Sequence, residues 1–189
     1  MKYVPHNFEG ISILQHPDIN RHFEKIINNF DRIIEIGTYA GGLTLYLYRI
    51  KKSNCDLISY DIDASLCQVP KEYGIDIRQG NYFTEEIQKE LRELISVTPK
   101  RVLLLCDGGY KEWEFNTFSE YLKSNDVIMV HDYAESYEEW HSFTDPIEWP
   151  SLPDSSYLMI KDSIEKHSLS KHELYQDFKS VLWGIFIKK

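Results

Sequence analysis

Four short apolar runs in this chain each stop on a glycine or an acidic turn, and that recurrence narrows the fold more than any other feature. Arg32-Ile-Ile-Glu-Ile36 runs into Gly37, and Leu57 to Tyr60 into Asp61. Arg101 to Cys106 runs into Asp107-Gly108-Gly109, and Val127 to Val130 into His131-Asp132. Near-continuous apolar runs of this length read as strands buried on both faces, as in a parallel sheet covered by helices. Helical patterns lie between them. Ile19, Phe23, Ile26, Ile27 and Phe30 share one face over residues 18–30, opened by Pro17-Asp18. A helix is expected at about 41–51 and another over about 112–123, burying Phe115, Phe118 and Leu122. Thr84 is positioned to cap a third, with Glu85 and Glu86 in its first turn and Pro99 beyond its end. A weaker strand is expected from Ile75 to Arg78. Strand and helix in alternation give an α/β, doubly wound, Rossmann-like sheet.

The pattern breaks at residues 133–154, which contain Pro146, Pro150 and Pro153 and no helical period. A long loop or lid is expected there. Residues 155–167 read as a helix, and about 169–188 as two strands closing on VLWGIFI. The 189 residues then make a single domain, with 1–30 as an N-terminal helical segment.

Composition excludes several classes of function. A net charge of −9 argues against nucleic-acid binding, which needs clustered Lys and Arg. No apolar run is long enough to span a membrane, and MKYVPHNFEG lacks an apolar secretion core. Three cysteines make neither a disulfide framework nor a zinc set, so a reducing cytoplasm is expected.

In an open parallel sheet, ligands bind beyond the carboxyl ends of the strands. The residues of interest are therefore Glu35-Ile36-Gly37-Thr38-Tyr39-Ala40-Gly41-Gly42, Asp61-Ile62, Gly80-Asn81-Tyr82, Asp107-Gly108-Gly109 and His131-Asp132. The alternative is that strand ends simply favour turn residues. The first turn is neither a GxGxxG dinucleotide fingerprint nor a P-loop. Its glycines let the backbone approach a ligand at a helix N-terminus. Asp61 follows at the place where an acid accepts from ribose hydroxyls. A ribose-binding acid without a phosphate fingerprint suits a nucleoside with an amino-acid tail, such as S-adenosylmethionine.

On these residues the chain resembles the class I S-adenosylmethionine-dependent methyltransferases. Within them it is most similar to the cephalosporin-hydroxylase-type and macrocin-type small-molecule O-methyltransferases. The resemblance rests on Gln15-His16-Pro17-Asp18, IIEIGTYAGG, LISYDID, LLLCDGGYKEWEFNTFSEYL with NDVIMVHDY, and VLWGIFIKK. It implies seven strands in the order 3-2-1-4-5-7-6 with the last one antiparallel. It implies Glu35, Gly37, Thr38, Gly41 and Gly42 around the methionine moiety, Asp61 and Ile62 at the ribose, and Asn81 and Tyr82 at the adenine. Tyr39 either lies against the sulfonium or covers the sheet edge.

The resemblance further implies Mg²⁺ or another divalent cation on Asp107, Asp132 and His131, with Asp107 also beside the cofactor. The alternative is that Asp132 caps a turn and His131 bonds a loop carbonyl. Relatives often carry His three residues after the aspartate, where this chain has Tyr110. Tyrosine is a weak base near pH 7 because its pKa is about 10. The base is then His131, acting with Asp107, or His141, or the metal alone activates the hydroxyl. Tyr110, Tyr133, Trp140 and His141 are the expected acceptor-side residues.

The expected function is methyl transfer to a hydroxyl of a small molecule, a sugar or glycoside among them. Alternatives are metal-free N-methylation, a nicotinamide-dependent enzyme, and a non-catalytic S-adenosylmethionine-binding module. The resemblance also implies homo-oligomers. Residues 133–154 carry Glu135, Glu138, Glu139, Asp145, Glu148 and Asp154 and no Lys or Arg. They read either as an acidic, aromatic lid favouring a neutral or cationic acceptor, or as a solvated loop.

Overall fold

A computed structural model describes residues 6–97, 99–144 and 153–189. Seven strands form the main sheet: β3 (Arg32–Ile36), β4 (Asp56–Asp61), β5 (Asp76–Gln79), β6 (Val102–Cys106), β7 (Val127–His131), β10 (Leu169–Lys171) and β11 (Trp183–Lys188). Two short pairs flank it, β1 (His6–Phe8) with β2 (Ile11–Ile13) and β8 (Tyr133–Ala134) with β9 (Ser155–Ser156). The helices are α1 (Ile19–Ile26), α2 (Gly42–Ile50), α3 (Glu85–Ser96), α4 (Lys111–Phe118), α5 (Tyr137–Phe143), α6 (Tyr157–Lys166) and α7 (Tyr175–Lys179).

The sheet order is β5-β4-β3-β6-β7-β11-β10. Counted along the chain, that is the expected 3-2-1-4-5-7-6. The strands from β5 to β7 are parallel, and β11 runs antiparallel to both β7 and β10. The central strands β3, β6 and β7 are buried at every residue, as their unbroken apolar runs require. The chain leaves β3 in one direction across the sheet and returns to β6 to proceed in the other. Right-handed crossovers then put α2 and α4 on opposite faces. The crevice opens between β3 and β6, at the carboxyl ends.

On one side α1 packs against α2 and α7, and its Phe23 meets Phe178 and Trp183 edge-on. Its buried residues Ile19, Phe23 and Ile26 follow the predicted spacing. Elsewhere α4 packs against α6. No helix among the described residues is long and apolar enough to cross a membrane.

The structure departs from the expectations in four places. The expected loop at 133–154 contains α5, which buries Trp140 against Ala134 and Leu182. At seven residues it is too short to display a 3.6-residue period. Its start is nevertheless written in the sequence, because the Ser136 hydroxyl accepts the Glu139 N–H at 3.2 Å. Second, α7 separates the two closing strands. Third, Thr84 precedes α3, but its hydroxyl donates to the Asn81 carbonyl rather than capping the helix. Fourth, the β1–β2 hairpin precedes the first predicted element. It turns on Glu9 and Gly10, both at positive φ, and supplies Ser12 to the cavity described below. Asp145, Glu148 and Trp149 of the acidic segment lie outside the described residues.

Candidate active site

A cavity of about 770 Å³ lies at the carboxyl ends of the parallel strands. Its floor is the β3 turn. Gly37 has φ +102, and a Cβ there would sit 2.1 Å from the Asp107 carbonyl oxygen. The ends of β3 and β6 therefore touch through bare backbone, which leaves room above them for a ligand. The N–H groups of Gly37 and Thr38 both reach the Tyr60 carbonyl, at 2.8 and 3.2 Å. Tyr39 also sits at positive φ, +46. Its N–H donates to Asp61 Oδ2 at 2.7 Å, and the Asp63 N–H donates to Oδ1 at 2.9 Å. Asp61 thus ties the first two strand ends together. Gly37, Thr38, Tyr39, Gly42, Asp61 and Ile62 all line the cavity, and the Tyr39 ring is half exposed.

Glu35 and Gly41 stand behind this wall, outside the cavity lining. Glu35 Oε2 accepts the Thr44 and Ser59 hydroxyls, each at 2.5 Å. Burial pushes its carboxyl up to about 8. Gly41 has φ +86, and a Cβ there would meet Val69 and Cys67. A raised carboxyl means that the folded chain holds a proton which the unfolded chain has lost. Stability should therefore fall as pH rises from about 4.3, the ordinary Glu value, towards about 8. Glu35→Gln removes that dependence. Thermal melts should show variant and parent alike at about pH 4, with the variant melting progressively higher than the parent up to pH 9.

Asn81 was expected at the adenine but faces its own turn, where its side chain accepts the Phe83 N–H at 3.0 Å. The neighbouring Phe83 lines the cavity instead, beside Tyr82. The Tyr82 hydroxyl accepts the Gly109 N–H at 2.7 Å, and Glu114 Oε2 accepts the Gly108 N–H at 3.2 Å. Burial pushes Glu114 up to about 7. Glu114 is a support that sequence reading missed, because it sits inside α4 and looks like an ordinary helix acid.

The far wall carries the charge. His131 Nδ1 lies 2.8 Å from Asp107 Oδ1 and 3.6 Å from Asp132 Oδ1. The Gln15 amide donates to Asp107 Oδ2. The His131 ring lies against Trp183 with centroids 4.8 Å apart, and Nε2 has no partner among the described residues. Burial alone would pull His131 down, but Asp132 and Asp107 outweigh it and hold the imidazole above its ordinary value. Asp132 has φ +50, so both walls contain a side chain presented from left-handed backbone. The Lys111 ammonium sits 3.0 Å from Asp132 Oδ2 and 3.0 Å from Asp154 Oδ2.

The expected metal ligands Asp107, Asp132 and His131 thus converge, with three of the four aspartate oxygens already held by protein groups. Both Asp107 oxygens accept from protein groups, and Asp132 Oδ2 is held by Lys111. No group of three His, Cys, Asp or Glu among the described residues is arranged to hold a metal ion. The residues as they stand do not fit a divalent cation. Lys111 and Gln15 were not expected at the site, and Asp154 was expected only as one of the acids of the lid. Lysine directly after the Tyr110 position was the available signal for the first of them.

Of the residues expected on the acceptor side, Tyr110 and Trp140 line the cavity, with Thr144 and Leu182. Tyr133 does not. It is wholly buried, its hydroxyl 2.8 Å from that of Tyr175 and its ring beside Phe186. The left-handed backbone of Asp132 ends β7, and Tyr133 opens β8 facing the core, one residue after a site residue. His141 is also outside the lining; its Nδ1 lies 3.0 Å from the Tyr137 carbonyl one helical turn back. The acids of this segment are largely paired. Glu135 meets Lys171 and Lys179, Glu139 meets Lys179, and Asp154 meets Lys111. An acidic lid attracting a cationic acceptor is therefore not what the described residues form.

No family model and no curated protein sequence matches the chain. Solved structures do. CmcI, in a structure titled with Mg and SAM, aligns over 97% of this chain and 76% of its own, at 18% identity and a TM-score of 0.67. An O-methyltransferase from Bacillus cereus in complex with SAH aligns over 92% and 81%, at 15% identity and a TM-score of 0.59. MycE, titled as a methyltransferase from the mycinamycin pathway with Mg and SAH, aligns over 92% of this chain and 49% of its own, at 18% identity and 0.56. The chain has the class I methyltransferase fold. In that methyltransferase fold the cavity occupies the position that the strand order marks for a ligand, above the β3–β6 crevice.

Proposed function

We propose that this cavity binds S-adenosylmethionine and that the chain transfers its methyl group to a hydroxyl of a small, neutral molecule. One observation carries the reading. The Gly37 turn and the Asp61 carboxylate lie side by side on one cavity wall, with the Asp107–His131 pair on another. The fit is physical. The bare Gly37 backbone lets the β3 and β6 ends close together beneath the cavity, Asp61 offers a carboxylate at the ribose position, and the half-exposed Tyr39 ring suits a sulfonium. The solved neighbours whose titles include SAM or SAH support the same reading.

When bound, the cofactor supplies a methyl group on a sulfonium that leaves as a thioether. The chain's share is to align an acceptor oxygen and remove its proton. Alignment alone lowers such a barrier by roughly 7–11 kcal/mol. His131 is the proton acceptor in this reading, through Nε2. Asp107 fixes the ring through Nδ1, and both aspartates stabilise the imidazolium that forms. Tyr110, Trp140 and Leu182 offer apolar and aromatic surface, which suits the uncharged face of a glycoside. A neighbour titled as a complex of MycE with mycinamycin VI supports a small-molecule acceptor.

Calorimetric titration with S-adenosylmethionine and S-adenosylhomocysteine tests the core of this reading, with one-to-one binding of both expected. Absence of binding to either would sink it. Asp61→Ala should weaken binding by about 1.5–3 kcal/mol, the range for hydrogen bonds to a charged group. Parental affinity in that variant would remove Asp61 from the ribose.

A further inference from the structure

Among the described residues Lys111 is the one lysine or arginine in the cavity lining, and its place is unusual. Its ammonium lies 3.0 Å from Asp132 on the β7 end and 3.0 Å from Asp154, which precedes β9. Lys111 opens α4, and its side chain is buried with its head between two carboxylates. Asp132 is offered to it from strained backbone, at φ +50. A divalent ion bridging Asp107 and Asp132 would need their oxygens at about 2.0–2.6 Å. It would also stand directly beside the ammonium.

We propose that Lys111 is the resident cation of this site, seated where a divalent ion would otherwise bridge the strand-end acids, so that the chain works without a metal. The inference rests on the methyl-transfer reading of the cavity. An ammonium is a point charge on a flexible stem. It pairs with Asp132 and Asp154 without drawing on either Asp107 oxygen, which stay bonded to His131 and Gln15. That leaves Asp107 free to orient His131 as a base. A metal on Asp107 would compete for the same oxygens. The two arrangements are therefore alternatives, and the residues present are set in the first.

Mn²⁺ serves as the probe because its paramagnetic resonance signal is lost on binding. Titrations with S-adenosylhomocysteine present should show no tightly bound Mn²⁺ in the parent chain. Lys111→Ala should gain one bound ion per chain, and the double variant with Asp132→Ala should lose it again. Lys111→Met, which keeps most of the stem, gives the same readout if the alanine variant melts early. Stoichiometric Mn²⁺ in the parent that Asp132→Ala abolishes would overturn the proposal. So would the absence of binding in every Lys111 variant, because removing the ammonium would then open no seat. Calorimetry with S-adenosylhomocysteine on the parent separates the two levels. Failure there removes the methyl-transfer reading, while the Mn²⁺ titrations still decide where Lys111 sits relative to a cation.

Discussion

Replacing Gly37 by alanine is expected to lower stability by about 3 kcal/mol or more and to abolish cofactor binding. Two costs add. Left-handed backbone costs a residue with a Cβ roughly 1–2 kcal/mol, and forcing an atom into a packed site costs roughly another 1–3 kcal/mol. The second cost falls near its upper end because nothing nearby can give way. The new Cβ would lie 2.1 Å from the Asp107 carbonyl oxygen and 2.8 Å from the Gly108 nitrogen. These are backbone atoms of the adjacent parallel strand end, whose partner Cys106 pairs with Ile36. The strands must part at the crevice itself. For a chain of this size the unfolding temperature should drop by about 6–12 °C. Gly10→Ala is the control, since Gly10 has φ +85 but nothing within 4 Å of its would-be Cβ. It should show the backbone cost alone. Equal losses for the two variants in thermal melts would mean that the β3–β6 contact is not the cause.

Removing His131 should have the largest effect on chemistry. His131→Ala is expected to cut methyl transfer by about 10²–10⁴-fold, the usual worth of a positioned base, while cofactor affinity stays near parental. The sign of the pH dependence follows from the neighbours. Only the neutral ring accepts a proton, so turnover rises with pH through the His131 value. That value lies above the ordinary imidazole pKa of about 6.5 because Asp132 and Asp107 favour the charged form against burial. Asp132→Asn removes one of those charges, so the rising limb should move to lower pH. A role in packing against Trp183 alone would leave the limb where it is. Unchanged turnover in His131→Gln would discard the base.

Much of the sheet was legible because its signals are local. Ile33 to Ile36, Val102 to Cys106 and Val127 to Val130 are fully buried strands that no amphipathic pattern could imitate, and the acid or glycine after each marks where it ends. The cavity-lining residues Gly37, Thr38, Tyr39, Gly42, Asp61 and Ile62 follow directly from those ends. What escaped depends on contacts distant in sequence. Gln15 reaches Asp107 across 92 positions. Lys111 finds Asp154 across 43, and nothing near either residue announces the pair. Tyr133 shows the converse. Its neighbours in sequence are site residues, but the left-handed break at Asp132 redirects the chain and Tyr133 packs inward on Tyr175. Asn81 failed for a third reason, since a short amide bonds its own turn in preference to a ligand.

The two-residue pairing of β8 with β9 has a consequence for the chain's capacity to change. Tyr133 pairs with Ser155 and Ala134 with Ser156, and the Ser155 hydroxyl donates to the His131 carbonyl at 2.9 Å. The stretch between these strands therefore departs and returns at one point, like a loop tied at its neck. Doubling the length of such a loop adds only about 0.6 kcal/mol of closure entropy. The residues that would meet an acceptor can then be lengthened, shortened or exchanged without shifting His131 or Asp132 below the knot. A fixed His131–Asp107 pair can in this way be offered to a succession of differently shaped molecules.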